Sequence, residues 1–102
     1  MTLPIRVRPE ARQELLDACA WYENVRPGLG AELKNCVYEA IDNIREWPRA
    51  HPRLFGSVRS ASVCRFRFKV VYEVLPTHIE IYALFHTSRD PRLVKRLLRR
   101  RR

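Results

Sequence analysis

The sequence predicts an α+β domain, with a helical hairpin packed on one face of a small antiparallel sheet. Three observations carry that reading. Residues 58–90 hold β-branched and aromatic runs at 69–74 and 79–85, broken at Pro76-Thr77, as a meander of three strands would. Two stretches ahead of it repeat apolar residues at three- and four-residue spacing, as amphipathic helices do. Finally, 102 residues suffice for one core and one domain, residues 1–102.

Taken in order, residues 3–7 alternate, with Leu3, Ile5 and Val7 on one side and Arg6 on the other, a strand with one buried face. Pro9 suits the first turn of a helix, and Glu10 sits where the macrodipole favours a carboxylate. Ala11, Leu15, Ala18, Cys19 and Tyr22 mark its apolar face. The Arg26-Pro27-Gly28-Leu29-Gly30 break ends that helix and starts another close by. Leu29, Leu33, Cys36, Val37, Ala40, Ile41 and Ile44 form the second stripe, stopped at Trp47-Pro48. Residues 49–56 read as an irregular loop. The order is β-α-α-β-β-β, and Asp90-Pro91 opens a short C-terminal helix that frays into four arginines.

Across Pro76-Thr77, strand residues pair so that their numbers sum to 153. Phe68, Val70, Tyr72 and Val74 then share a face with Phe85, Ala83, Ile81 and Ile79, which lies under the helices. The other face, carrying Arg67, Lys69, Tyr82 and His86, is partly open. Glu73 falls opposite Glu80, a repulsive pair unless a cation intervenes. Lys69 and Arg67 beside His86 favour its neutral imidazole. Such a set can deprotonate a ribose 2′-hydroxyl and steady a phosphorane-like transition state. The plainer reading is a basic sheet edge with a packed histidine. His78 is expected in solvent, and Trp21, Tyr22, Tyr38, Trp47 and Tyr72 in packing contacts.

Charge is the compositional outlier. Twenty Lys and Arg against eleven Asp and Glu leave +9, which favours an anionic partner. Residues 89–102 hold eight of the cations and a single acid, Asp90, so the surplus gathers at the tail. Cys19, Cys36 and Cys64 make an odd count without C-x-x-C spacing, which reads as buried thiols in a reducing compartment rather than zinc or disulfides. No apolar run approaches the ~20 residues that span a bilayer, and no secretory signal opens the chain. A cytoplasmic protein without metal, cofactor or membrane contact is expected. P-loop, dinucleotide and Ser/His/Asp signatures are absent.

Several of these residues fall in a familiar order. Ala11-Arg12-x-x-Leu15 opens the first helix and Trp21-Tyr22 closes it, followed by Pro27-Gly28-Leu29-Gly30 and Ile44-x-x-Trp47-Pro48. Val58-Arg59, Arg65-Phe66, Val70-Val71-Tyr72, Ala83-Leu84-Phe85-His86 and Arg89-Asp90-Pro91 come after. The chain resembles, over nearly its whole length, the RelE/ParE superfamily of toxins from bacterial type II toxin–antitoxin pairs. The resemblance implies a compact toxin neutralised by a cognate antitoxin whose acidic segment folds on it. Its expected contacts are the hairpin groove and the open sheet face, with Arg59, Arg65, Arg67, Tyr82, Trp21 and Tyr22 as candidates for antitoxin or target binding.

Two activities follow from that resemblance. RelE-like members cut mRNA on the ribosome. By position Lys69 matches a usual arginine, Arg89 the arginine after the last strand, and His86 lies near a general base of some members. Lysine at 69 weakens bidentate phosphate binding, and no tyrosine follows Tyr82. ParE-like members poison DNA gyrase and need no catalytic set. The Trp21-Tyr22 hairpin and the His86-x-x-Arg89-Asp90-Pro91 ending favour that branch. A third alternative is an inactive relic that binds nucleic acid through its basic tail.

Overall fold

The computed structural model describes residues 2–102. Strand β1 (Ile5–Val7) leads into α1 (Pro9–Val25) and α2 (Leu29–Glu46), followed by β2 (Arg53–Phe55), β3 (Val58–Ser62), β4 (Phe68–Val74), β5 (Ile79–His86) and α3 (Pro91–Arg101). The α+β class and the helical hairpin are as read from the sequence. Two features differ. Residues 53–55 add a short edge strand inside the expected loop, and β1 runs parallel to β5, so the five-stranded sheet, ordered β1-β5-β4-β3-β2, is mixed.

The hairpin is set by its turn. Gly28 takes φ +89°, open to glycine without strain. Glu23 of α1 then accepts from the Gly28 N–H (2.9 Å) and the Gly30 N–H (3.1 Å), placing a carboxylate on the otherwise uncapped start of α2. Leu33, Cys36, Val37, Ala40 and Ile44 of α2 meet Ala61, Val70, Tyr72, Ile79, Ile81 and Leu84 in the main core.

The pairing of β4 with β5 keeps the expected register only near the hairpin turn: Tyr72 faces Ile81, Glu73 faces Glu80 and Val74 faces Ile79. A bulge then makes Tyr82 the extra residue, and Val71 pairs with Ala83, Val70 with Leu84, Lys69 with Phe85 and Phe68 with His86. Parity therefore flips along β5. Leu84 turns under the hairpin, while Ala83 and Phe85 move to the opposite face.

That opposite face is not open. Val58, Val71, Tyr82, Ala83 and Phe85 form a second core closed by Val94 and Leu98 of α3. Each of the last two contributes about 1.5–3 kcal/mol by burial. Asp90 caps α3, accepting from the Arg92 N–H at 2.9 Å. The terminal arginines do not fray. Arg101 forms a bidentate pair with Glu14 (both contacts 3.0 Å) and donates to the Tyr82 carbonyl (2.9 Å), while the same carboxylate accepts from the Leu84 N–H (3.1 Å). This pair satisfies the edge of β5 where β1 has ended. Arg102 reaches Glu73 at 2.8 Å.

The repulsion anticipated between Glu73 and Glu80 is relieved by separate cations. Glu80 lies 2.7 Å from Nε2 of His78, itself half-buried rather than solvated, and 3.8 Å from Arg8. Glu73 is buried and accepts from Arg102, Ser57 and Tyr82. Burial alone would raise its pKa, but the hydrogen bonds from Arg102, Ser57 and Tyr82 outweigh that and hold the carboxyl below its ordinary value. Glu73 therefore adds stability that is complete above the unfolded carboxyl pKa of about 4.3 and is lost as pH falls through the lower folded value. Thermal unfolding across pH should show Glu73→Gln less stable at neutrality, with a shallower acid decline between about pH 5 and pH 3 than the parent.

Candidate functional site: an apolar groove with a cationic rim

Between α1 and α2, a groove of about 640 Å³ opens onto the sheet. Leu15, Leu16 and Cys19 form one wall, Val37, Tyr38 and Ile41 the other, and Val70, Ile81 and Leu84 lie beneath. Leu16 is 58% and Tyr38 47% exposed, so large apolar side chains stand in water along it. Arg12 and Lys34 stand at its edges, and Lys34 lies 5.6 Å from the centre of the Tyr38 ring. At Gly30 the backbones of α1 and α2 come close together. A Cβ built there would lie 2.5 Å from the Cys19 carbonyl oxygen.

Beyond the turn, aromatic rings follow one another along the end of the sheet. Trp21, 62% exposed, stands edge-on to Tyr22 (4.9 Å). Tyr22 meets Phe66 (5.2 Å) and Phe68 (6.2 Å), and Phe68 meets His86 (5.2 Å). Tyr22 is half-buried and packs on the main core, so of the pair only Trp21 offers a free ring. Tyr38 and Trp47 are exposed, contrary to the packing expected of them.

The sheet residues do not form the cluster expected from the simple register. The bulge places His86 opposite Phe68 on the hairpin side and Lys69 opposite Phe85 on the α3 side. The Ser88 N–H donates to His86 Nδ1 at 3.1 Å, so the neutral ring carries its proton on Nε2 and presents a donor outward. Arg89 is exposed and makes no side-chain hydrogen bond or ion pair among the described residues. Tyr82, expected on an open face, is buried under α3 and donates to Glu73 at 2.9 Å. Burial, then the Glu73 contact, pushes its phenol up to about 12, so it stays a donor.

The remaining cations divide by task. Arg59 is half-buried and donates to the His51 carbonyl (2.7 Å), anchoring the loop before β2. Beside it Tyr72 donates to the Pro48 carbonyl (2.6 Å). Burial, then the Arg59 charge, lowers the pKa of His51. Arg65 adopts φ +64° in the β3–β4 turn and shares Glu32 with Arg26, each 3.2 Å away. Arg67 is exposed, and its carbonyl accepts from the Thr87 N–H. Cys36 alone of the thiols is buried. Cys64, expected inside a strand, lies exposed in the turn, where contact with Cys36, then burial and the Glu39 carboxylate, push its thiol up to about 11. Among the described residues no cluster of ligands suits a metal, and no helix is long and apolar enough to cross a membrane.

No family model matches the chain. Toxin ParE2 of Mycobacterium tuberculosis, in strains CDC 1551 / Oshkosh and ATCC 25618 / H37Rv, is 28% identical to it over 96 residues, covering 93% of this chain and 91% of the relative. A chain of the chromosomal ParDE TA system from P. aeruginosa superposes with a TM-score of 0.74 at 15% identity, covering 82% of this chain and 95% of its own. This chain is similar to Toxin ParE2 over nearly its whole length and shares the fold of the ParDE chain. The groove, rather than the sheet face, is the free surface because α3 occupies the latter.

The close approach of α2 to α1 depends on Gly30. Alanine there gains about 0.4–1 kcal/mol by restricting the unfolded chain, but its methyl meets a backbone oxygen of α1 that cannot rotate away. Overpacking of this kind costs about 1–3 kcal/mol. Denaturant unfolding of Gly30→Ala should show a net loss of stability rather than the gain usual for Gly→Ala in a helix.

Proposed function

We propose that the chain is the toxin of a toxin–antitoxin pair, that it arrests growth in the cytoplasm by poisoning DNA gyrase, and that a cognate antitoxin silences it. The observation that carries this reading is the open apolar groove on a molecule of net charge +9. A partner segment with apolar residues on one side and carboxylates flanking them would bury the groove walls and pair with Arg12 and Lys34 at the rim. The likeness to Toxin ParE2 across 93% of the chain supports the same class. Trp21 is an exposed aromatic of the sort that anchors protein contacts, and it stands outside the groove, available to the target.

The ribonuclease alternative draws less support. Lys69 and His86 face opposite sides of the sheet, and the His86 ring is held as a donor by Ser88. No cofactor is needed for the gyrase reading, since binding and not chemistry does the work.

Purified protein should abolish supercoiling by gyrase and accumulate gyrase-dependent DNA breaks. Untouched gyrase over a wide range of toxin concentration would refute the target. Growth arrest should persist in the His86→Ala, Arg89→Ala double variant, whereas a ribosome-dependent nuclease would lose its toxicity. Leu16→Lys should weaken antitoxin binding by about 30- to 100-fold, the size of effect expected when a charge replaces an apolar anchor. Calorimetric titration with the cognate antitoxin measures it.

A further inference from the structure

The outward side of α3 carries Arg92, Lys95, Arg96, Arg99 and Arg100 around one shallow open depression of about 540 Å³. Their spacing of three, four, seven and eight residues places them on one helical face. They differ from the two arginines that follow. Arg101 and Arg102 are engaged with Glu14 and Glu73, whereas Lys95, Arg96, Arg99 and Arg100 form no ion pair among the described residues. Only Arg92 has a carboxylate neighbour, its own helix cap Asp90 at 3.4 Å. Arg99 is steadied over the Phe55 ring, 5.4 Å from its centre, so part of the surface is held in place before any partner arrives.

Nothing in the packing of α3 calls for this ridge. Val94 and Leu98 dock the helix on the sheet from its other side. Like charges four residues apart cost a helix a few tenths of a kcal/mol per pair. The dipole favours cations at Arg99 and Arg100 but not at Arg92, near the start of the helix. The chemistry of the face limits what it can bind. The aromatic ring at its edge, Phe55, already lies under Arg99 and offers no free platform for a base, which argues against single strands. Val94 and Leu98 are buried in the protein and Leu93 is the one large apolar side chain that α3 exposes among the described residues, too small an apolar face to lie in a bilayer interface. Four guanidinium groups of the five cations suit phosphate, which they can grip bidentately. Two helical turns of about 12 Å match a duplex that carries a phosphate charge every ~1.7 Å along its axis.

We propose that this face of α3 is a sequence-independent docking surface for the phosphate backbone of duplex nucleic acid. It reads charge and not bases. The proposal stands apart from the gyrase reading, because it concerns the free chain and a bare duplex.

The test is fluorescence anisotropy of the full chain with a random-sequence 20-bp DNA duplex, about 20 bp being ample for the ridge, across a salt series. About four phosphate contacts should give a slope of log K against log salt of about −3 to −4. The Lys95→Gln, Arg96→Gln, Arg99→Gln, Arg100→Gln variant should lose at least about tenfold in affinity at low salt, with a slope no steeper than about −1. The Arg96→Gln, Arg100→Gln variant alters only two exposed side chains and should fall between. A control of equal charge, Arg6→Gln, Arg26→Gln, Arg45→Gln, Arg49→Gln, should keep the parent slope. A parallel duplex RNA shows which backbone is preferred, and binding of either duplex through the ridge supports the proposal. No duplex binding, equal loss in the ridge and control variants, or tighter binding of a polyglutamate peptide would each overturn it.

Discussion

The arginine at position 101 and the carboxylate of Glu14 hold the architecture to one arrangement. Strand β1 accompanies β5 only as far as Ile81, and beyond that point β5 would leave a bare edge. An unpaired backbone group at such a position costs free energy comparable to a lost hydrogen bond. The ion pair supplies both missing partners at once, an acceptor for the Leu84 N–H and a donor for the Tyr82 carbonyl. Because Glu14 belongs to α1 and Arg101 to α3, the same contact ties the two helical layers across the sheet.

From that tie the two faces acquire different fates. With α3 held down, Val71, Ala83 and Phe85 are covered and the sheet is buried on both sides. Apolar surface still facing water then lies mainly along the α1–α2 hairpin, in the groove beside Leu16 and Tyr38. The positive charge is sorted by the same packing. Arg59, Arg101 and Arg102 hold structural acceptors, while Lys95, Arg96, Arg99 and Arg100 of α3 form no ion pair among the described residues. A surplus that looks uniform in the composition is therefore partly internal wiring and partly surface.

The hairpin and the strands other than β2 were legible because period and punctuation agree there: stripes at helical spacing, Gly28 in the turn, Pro48 after the second helix. What escaped was the second core. A strict alternation of faces assigns Tyr82 and His86 to an open side, yet the unbroken run Ile81-Tyr82-Ala83-Leu84-Phe85 is the pattern of a strand buried on both faces. Val94 and Leu98, four apart in a basic helix, were the available signal for what covers it. A one-residue bulge has no local marker, and it alone moves Leu84 and Phe85 to faces opposite to those expected. The pairing of Arg101 with Glu14 spans 87 residues, which no local pattern reports. The groove was anticipated in position through the resemblance, but its open apolar walls needed the exposure of Leu16 and Tyr38 to be seen.

Amide hydrogen exchange on the isolated protein probes the tie between the layers most directly. If Arg101 and Glu14 close the edge of β5, the Leu84 amide and those from Val94 onward should exchange only through near-global opening, as slowly as the centre of β4. Exchange of the α3 amides at the rate of a free tail, with Leu84 equally fast, would contradict the closed second face and all that was built on it.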